Sequence, residues 1–215
     1  MNFKVKTQKL KLNLKLQTFK FLVVVLTSQF LVFSLSYADN VSELARAKEL
    51  HNTGILYYES DDYQKAEPLF KETLAIYEKA LPDNDQRVAK VLFSLASLYY
   101  AEGRFDEAQP FYERSIAIRK LVFSYTYPEM AEASTFLAAI YIQKGKFEEA
   151  ETLLSEAYAS KLKQFGPDNP LMLTVMEKMR ELYHKTGKKD EAAQMKEREE
   201  KILASNPQFR ISPSV

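Results

Sequence analysis

The chain contains no cysteine and no tryptophan, and only 5 Gly and 2 His. Without Cys there can be no disulfide, no thiolate metal site, no thiol nucleophile and no lipid anchor on a cleavage-site Cys. Two histidines, His51 and His184, leave little material for His-based catalysis, and they lie far apart in the chain. No Gly-rich phosphate loop, Gly-x-Ser-x-Gly or His-Glu-x-x-His motif occurs. No metal or cofactor is therefore expected, and no enzyme. Acidic residues are absent from residues 1–38, which carry six Lys; the remainder holds 24 basic against 29 acidic residues. A mildly acidic body argues against nucleic acid as a partner. The Lys188-Lys189 pair is too small to make a nucleic-acid footprint.

What is present begins with a leader. Behind the lysines lies a 15-residue apolar run, Phe21 to Leu35, followed by Ser36-Tyr37-Ala38 and Asp39. A basic start, a short apolar run and small residues before the cut make a secretory signal peptide over 1–38, cleaved after Ala38. The rival is an uncleaved anchor, but the run is short for a span of ~20 residues and contains Gln29. The expected location is outside the cytoplasm, periplasmic or secreted, with no stable membrane span after cleavage. Asn40-Val41-Ser42 forms a glycosylation sequon at the expected mature N-terminus.

Residues 39–204 are periodic. Ala66, Ala108, Ala150 and Ala192 recur every 42 residues, as do Tyr57, Tyr99, Tyr141 and Tyr183. Gly103, Gly145 and Gly187 keep the same step, with Asp61 in the first register. Each unit reads as two helices. Val88, Val91, Leu92, Leu95 and Tyr99 stand at helical spacing, Gly103 closes that helix, and Phe105, Ala108, Tyr112 and Ile116 form the stripe of its partner. The repeated Ala must be small where helices cross closely, and the Tyr can fill the seam. Asp61-Asp62 falls in the first inter-helix turn and is expected to cap a helix. Asp106-Glu107 and Glu148-Glu149 begin second helices, where they complement the helix dipole. Between units stand Leu81-Pro82-Asp83-Asn84-Asp85 and Gly166-Pro167-Asp168-Asn169-Pro170, which suit capping and a first-turn Pro. The middle link, residues 123–128, is aromatic; it either covers a joint or offers a contact spot.

With Leu95-Ala96, Tyr99, Gly103 and Phe105-Asp106-Glu107-Ala108, and with Leu137-Ala138, Tyr141, Gly145 and Phe147-Glu148-Glu149-Ala150, the chain resembles the tetratricopeptide repeat (TPR) family. The 42-residue unit and the Gly-Pro-Asp-Asn-Pro link resemble its kinesin-light-chain-like variant. The resemblance implies an all-α fold, a right-handed α-solenoid of four helix-turn-helix repeats (about 47–88, 89–130, 131–172 and 173–204). The fourth, with a largely charged second helix and Lys196 at an aromatic or Leu position, reads as a polar C-terminal cap. Residues 205–215 read as a flexible tail.

The resemblance further implies a non-enzymatic scaffold whose first helices line a concave face. Mapped on the family pattern, the groove positions are Lys48, His51, Ile55 and Tyr58 in unit one and Lys90, Phe93, Ser97 and Tyr100 in unit two. They are Glu132, Thr135, Ala139 and Ile142 in unit three, and Thr174, Glu177, Glu181 and His184 in unit four. The first half is aromatic and basic and the far end acidic. The rings either stand open as anchors or close against neighbouring helices. The Lys-Asn-Arg clamp by which some members hold a peptide carboxylate is absent, since those positions carry His51, Ile55, Ser94, Glu132 and Phe136. The expected partner is a protein or peptide on the concave face; the alternative is a self-assembly module forming homo-oligomers.

Overall fold

A computed structural model of the chain describes residues 3–122 and 128–209, with many side chains before residue 36 outside the described set. The aromatic link at 123–127 and the end of the tail lie outside the described residues. Every extended element is a helix: α1 (Phe3–Glu59), α2 (Tyr63–Ala80), α3 (Gln86–Ala101), α4 (Phe105–Val122), α5 (Pro128–Gln143), α6 (Phe147–Phe165), α7 (Leu173–Lys185) and α8 (Lys189–Ser205). Short 3₁₀ turns occupy Pro170–Met172 and Pro207–Phe209.

The chain divides into two compact units, Met1–Arg46 and Ala47–Val215. In the first, α1 runs unbroken past Ala38. Several of its described apolar side chains stand in the open, with Phe21, Phe30 and Phe33 about 70% exposed (73%, 73% and 68%). Among the described residues no helix is long and apolar enough to cross a membrane.

The second unit is the helix-pair array. From α2 onward each helix packs on the next in chain order and α5 also meets α7; α1 meets α2 at Phe70 and α3 at Ser94, and α3 meets α5 where Tyr100 leans on Phe136. The repeated alanines lie in the seams between helices: Ala66, Ala108 and Ala150 are fully buried and Ala192 nearly so. A larger side chain there would push the two axes apart. Gly54 is a second close approach, since a Cβ on it would lie 2.6 Å from the ring of Phe70. The turns between paired helices share one left-handed residue. Gly103, Gly145 and Gly187 have φ of 73°, 71° and 75°, and Asp61 occupies the equivalent place at φ 57°. Asp61 holds it by accepting a hydrogen bond from the Tyr63 hydroxyl at 2.7 Å. Asp62 is not the cap expected from the sequence. It stands at the N-cap of α2 without a capping bond and instead takes the Lys65 ammonium at 2.5 Å.

Where the chain passes between repeats, the expected caps form. The Asp85 carboxylate accepts from Arg87 N–H at 2.8 Å and opens α3. Asn169 does the same for Leu171 N–H at 2.9 Å, ahead of Pro170. A polar clasp recurs at the joints. Tyr99 donates to Glu67 at 2.9 Å, Arg104 reaches the same carboxylate at 3.2 Å, and its guanidinium lies 4.2 Å from the Tyr99 ring centre. One repeat on, Lys146 faces Tyr141, whose hydroxyl donates to Glu113 at 3.0 Å. At the last joint Lys188 pairs with Glu151 at 2.6 Å and sits over Tyr183. These groups are partly solvated, so each pair contributes about 0–1 kcal/mol. The apolar seam beneath carries the energy. In α8 only Ala192, Met195 and Ile202 are buried, so its outer face is polar, as a terminal repeat requires.

Two substitutions check this frame by urea unfolding. Ala108→Leu overfills a crossing and should cost at least 1–3 kcal/mol. Gly145→Ala meets no neighbouring atom within 4 Å, so only backbone strain remains, about 1 kcal/mol.

Candidate functional site

Three consecutive first helices and two second helices border a cavity of about 390 Å³. α1 contributes Ile55, Tyr58 and Glu59, and α3 contributes Lys90, Phe93, Ser94, Ser97 and Tyr100. Glu132 and Phe136 come from α5, Tyr112 and Arg119 from α4, and Phe70 from α2. The 42-residue step stacks α1, α3 and α5, so side chains far apart in sequence converge. Repeats one and three both touch the same space.

Aromatic rings form the walls. Tyr112 is fully buried and stacks on Phe136 with centroids 6.0 Å apart. Phe93 meets Tyr112 edge-on at 5.8 Å, and Tyr100 leans on Phe136 at 5.2 Å and on Phe105 at 5.4 Å. Tyr58 tilts against Tyr63 at 5.7 Å. The rings thus do both things foreseen for them: they pack on one another and still border open volume. Tyr112 and Ser97 share a hydroxyl hydrogen bond of 3.1 Å, which fixes the floor. Burial raises the Tyr112 hydroxyl far above its ordinary pKa. Burial, with Glu132 and Asp61, also raises that of Tyr58. Both remain neutral hydrogen-bonding groups at any physiological pH.

Charge is arranged around these rings. Arg119, only 5% exposed, donates to Ser115 at 3.3 Å and lies 5.9 Å from the Phe93 ring. Lys90 and Glu132 stand exposed on the rim. Beyond Tyr100, Lys178 bridges Glu177 at 3.0 Å and Glu181 at 3.5 Å. Burial pulls the Lys178 ammonium down, but the two carboxylates outweigh it and hold it above its ordinary pKa. Lys161, 42 residues after Arg119, is a second buried cation and donates to the Leu171 carbonyl at 2.9 Å. Burial lowers its pKa, and Glu132 partly opposes that.

Seven of the positions mapped from the sequence therefore meet in one cavity: Ile55, Tyr58, Lys90, Phe93, Ser97, Tyr100 and Glu132. Others go elsewhere. Thr135 (1% exposed), Ala139 (3%) and Ile142 (3%) are not groove positions. α5 is enclosed by α4, α6 and α7, so these side chains enter the core, Ile142 within the α5–α8 cluster. Thr135 spends its hydroxyl on the Ala131 carbonyl at 2.7 Å. His51, mapped to the groove, is instead 5% exposed in the seam, at 3.0 Å from Ser94, and does not line the cavity. Lys48, Thr174 and His184 are exposed but outside the cavity, and Glu177 and Glu181 flank Lys178 beside it. The sequence reading passed over Glu59, Phe70, Tyr112 and Arg119. The last two come from a second helix, where 112, 115, 116 and 119 form one buried stripe; an arginine on that stripe is the signal that marks the site.

The family model for the tetratricopeptide repeat matches residues 44–121 and 129–205. No curated protein matches the chain in sequence. Among solved structures, BtubC (BKLC) from P. vanneervenii is 26% identical with a TM-score of 0.65, over 84% of this chain and 70% of that one. A Podosopora anserina protein described as a kinesin light chain with nearly identical TPR-like repeats is 25% identical, with a TM-score of 0.60 over 77% of this chain and 78% of that one. MamA shares the fold at 16% identity, TM-score 0.56, over 76% of this chain and 81% of its own.

The two fates of the mapped positions are distinguishable by urea unfolding. Ile142→Ala should cost about 2–4 kcal/mol because it empties core volume. Lys90→Ala, on the rim, should stay within about 0.5 kcal/mol of wild type.

Proposed function

Because the chain belongs to the tetratricopeptide repeat family, in its kinesin-light-chain-like form, we propose that it is a non-enzymatic scaffold holding a protein or peptide segment on its concave face. TPR arrays generally mediate protein–protein interaction. The observation that carries the reading for this chain is the aromatic cavity shared by repeats one to three. Its walls are rings, its polar groups are few and fixed, and charges of both signs stand on its rim. That is the composition of a site that anchors one or two large side chains and orients the backbone between them. Two or three anchors at ~1–2 kcal/mol each beyond background place the affinity in the micromolar range.

The test pairs Glu132, exposed on the rim, with Tyr58, a half-buried wall ring that leans on Tyr63. Tyr58→Ala with Glu132→Arg should abolish affinity capture of a partner while the circular dichroism spectrum and urea midpoint stay close to wild type. Equal capture by variant and wild type would remove the cavity from the account and favour self-assembly through another face.

We further propose that this scaffold works outside the cytoplasm, with residues 1–38 as its export signal. The support is the lysine-rich start, the apolar run and the exposed side chains of Phe21, Phe30 and Phe33, which suit a segment made for lipid or a translocation channel. Amino-terminal sequencing of protein from the native envelope or secreted fraction should read Asp39-Asn40-Val41. An amino terminus at Met1 would mean retention as an anchor or no export at all.

A further inference from the structure

His51 sits in the seam between the first two repeats. It is 5% exposed, its ring lies 5.5 Å from that of Phe70 on α2, and its Nε2 meets the Ser94 hydroxyl of α3 at 3.0 Å. Ser94 in turn donates to the Lys90 carbonyl at 3.2 Å, so its oxygen accepts and the imidazole donates. Both neighbours of the imidazole, Phe70 and Ser94, are walls of the aromatic cavity.

The charges around this imidazole are unfavourable to a second cation. From α3 the group facing it is Lys90, whose ammonium acts on His51. α2 presents Phe70 and Thr73, neither charged, and His51 has Lys48 one turn before it on its own helix. Around the adjoining cavity stand Arg119 from α4, Glu59 from the end of α1 and Glu132 from α5. No carboxylate is hydrogen-bonded to the ring among the described residues. A proton added to His51 would leave the Nε2 hydrogen bond intact and place a buried positive charge beside Lys90. The free energy of that charge is relieved by separating α1 and α2 from α3. The first helix pair is the end of the repeat array, and in such arrays terminal units open before internal ones.

We propose that His51 makes the joint between repeats one and two an acid-sensitive latch: protonation detaches the first helix pair and dismantles the cavity, which loses Ile55, Tyr58, Glu59 and Phe70 at once. This goes beyond the binding role and does not depend on what occupies the cavity. Burial first, and Lys90 second, lower the folded-state value of His51 from 6.5 to about 4. The sign follows from linkage. The open form binds the proton more readily, so the closed joint is fully stable above pH 6.5 and loses stability as pH falls from 6.5 towards 4. With those two values the opening constant should rise about 20-fold between pH 7 and pH 5.

Hydrogen exchange by mass spectrometry on the full-length chain, corrected for intrinsic rates, reads this opening directly. Peptides from 47–80 should show the ~20-fold rise, while those from 173–205 should not. His51→Gln keeps a donor for Ser94 and cannot titrate, so its 47–80 peptides should be flat over the same interval. A wild type without the rise, or a His51→Gln protein with the same rise, would overturn the latch. An independent reading needs no variant of the joint itself. In a His184→Gln background the remaining imidazole signal in the NMR spectrum should titrate near pH 4, and Lys90→Gln should move it upward. A midpoint near 6.5 in that background would equally defeat the proposal.

Discussion

Everything in the array depends on how closely two helices can approach at one residue per repeat. Ala66, Ala108, Ala150 and Ala192 carry almost no exposed surface, and a side chain as small as a methyl group lets two helices come close there. That distance lets apolar stripes of adjacent helices interdigitate, and it repeats every 42 residues because the chain between crossings has constant length. Other devices tune it. A left-handed residue reverses the chain after each first helix, an Asp or Asn cap starts the next unit, and a cation laid on the repeated Tyr closes the outer edge.

The same regularity creates the cavity. Stacking α1, α3 and α5 in register brings residues 55, 97 and 136 to one place although they are dozens of positions apart. Rings occur there because repeats one and two supply Tyr58, Phe93 and Tyr100, and α4 adds Tyr112. Further along, α7 supplies Glu177, Lys178 and Glu181, an ion-paired cluster without a comparable ring. The site is therefore local to the first half of an otherwise regular array. Regularity supplies the frame, and departures from it supply the chemistry.

Much of this was legible beforehand. Ala and Tyr at a constant step, with Gly in three of four turns, specify helix pairs because each type answers a geometric demand: smallness, seam filling, left-handed backbone. Half of the cavity lining was legible too, since Tyr58, Phe93 and Tyr100 are rings where the repeat's own packing does not call for one. Thr135 and Ile142 were misplaced because a linear pattern does not say how many neighbours a helix has, and α5 is enclosed by three. His51 was misjudged for the same reason: its burial comes from Phe70, on another helix, and Ser94, in another repeat. Arg119 escaped notice because the pattern assigns the groove to first helices alone. Asp62 shows the finer limit. A residue of the right type in the right turn formed an ion pair with Lys65 instead of a cap.

The central claim is that the aromatic cavity is where this scaffold meets its partner. The most direct measurement places a photoreactive benzoyl-phenylalanine at position 58, in the cavity wall, and in a second protein at position 155, an exposed residue of α6 outside the cavity. Both are irradiated in the cells of origin. The account predicts a discrete cross-linked adduct from position 58, suppressed by Glu132→Arg, and none from position 155. Adducts from position 155 alone, or adducts from position 58 that survive Glu132→Arg unchanged, would contradict it.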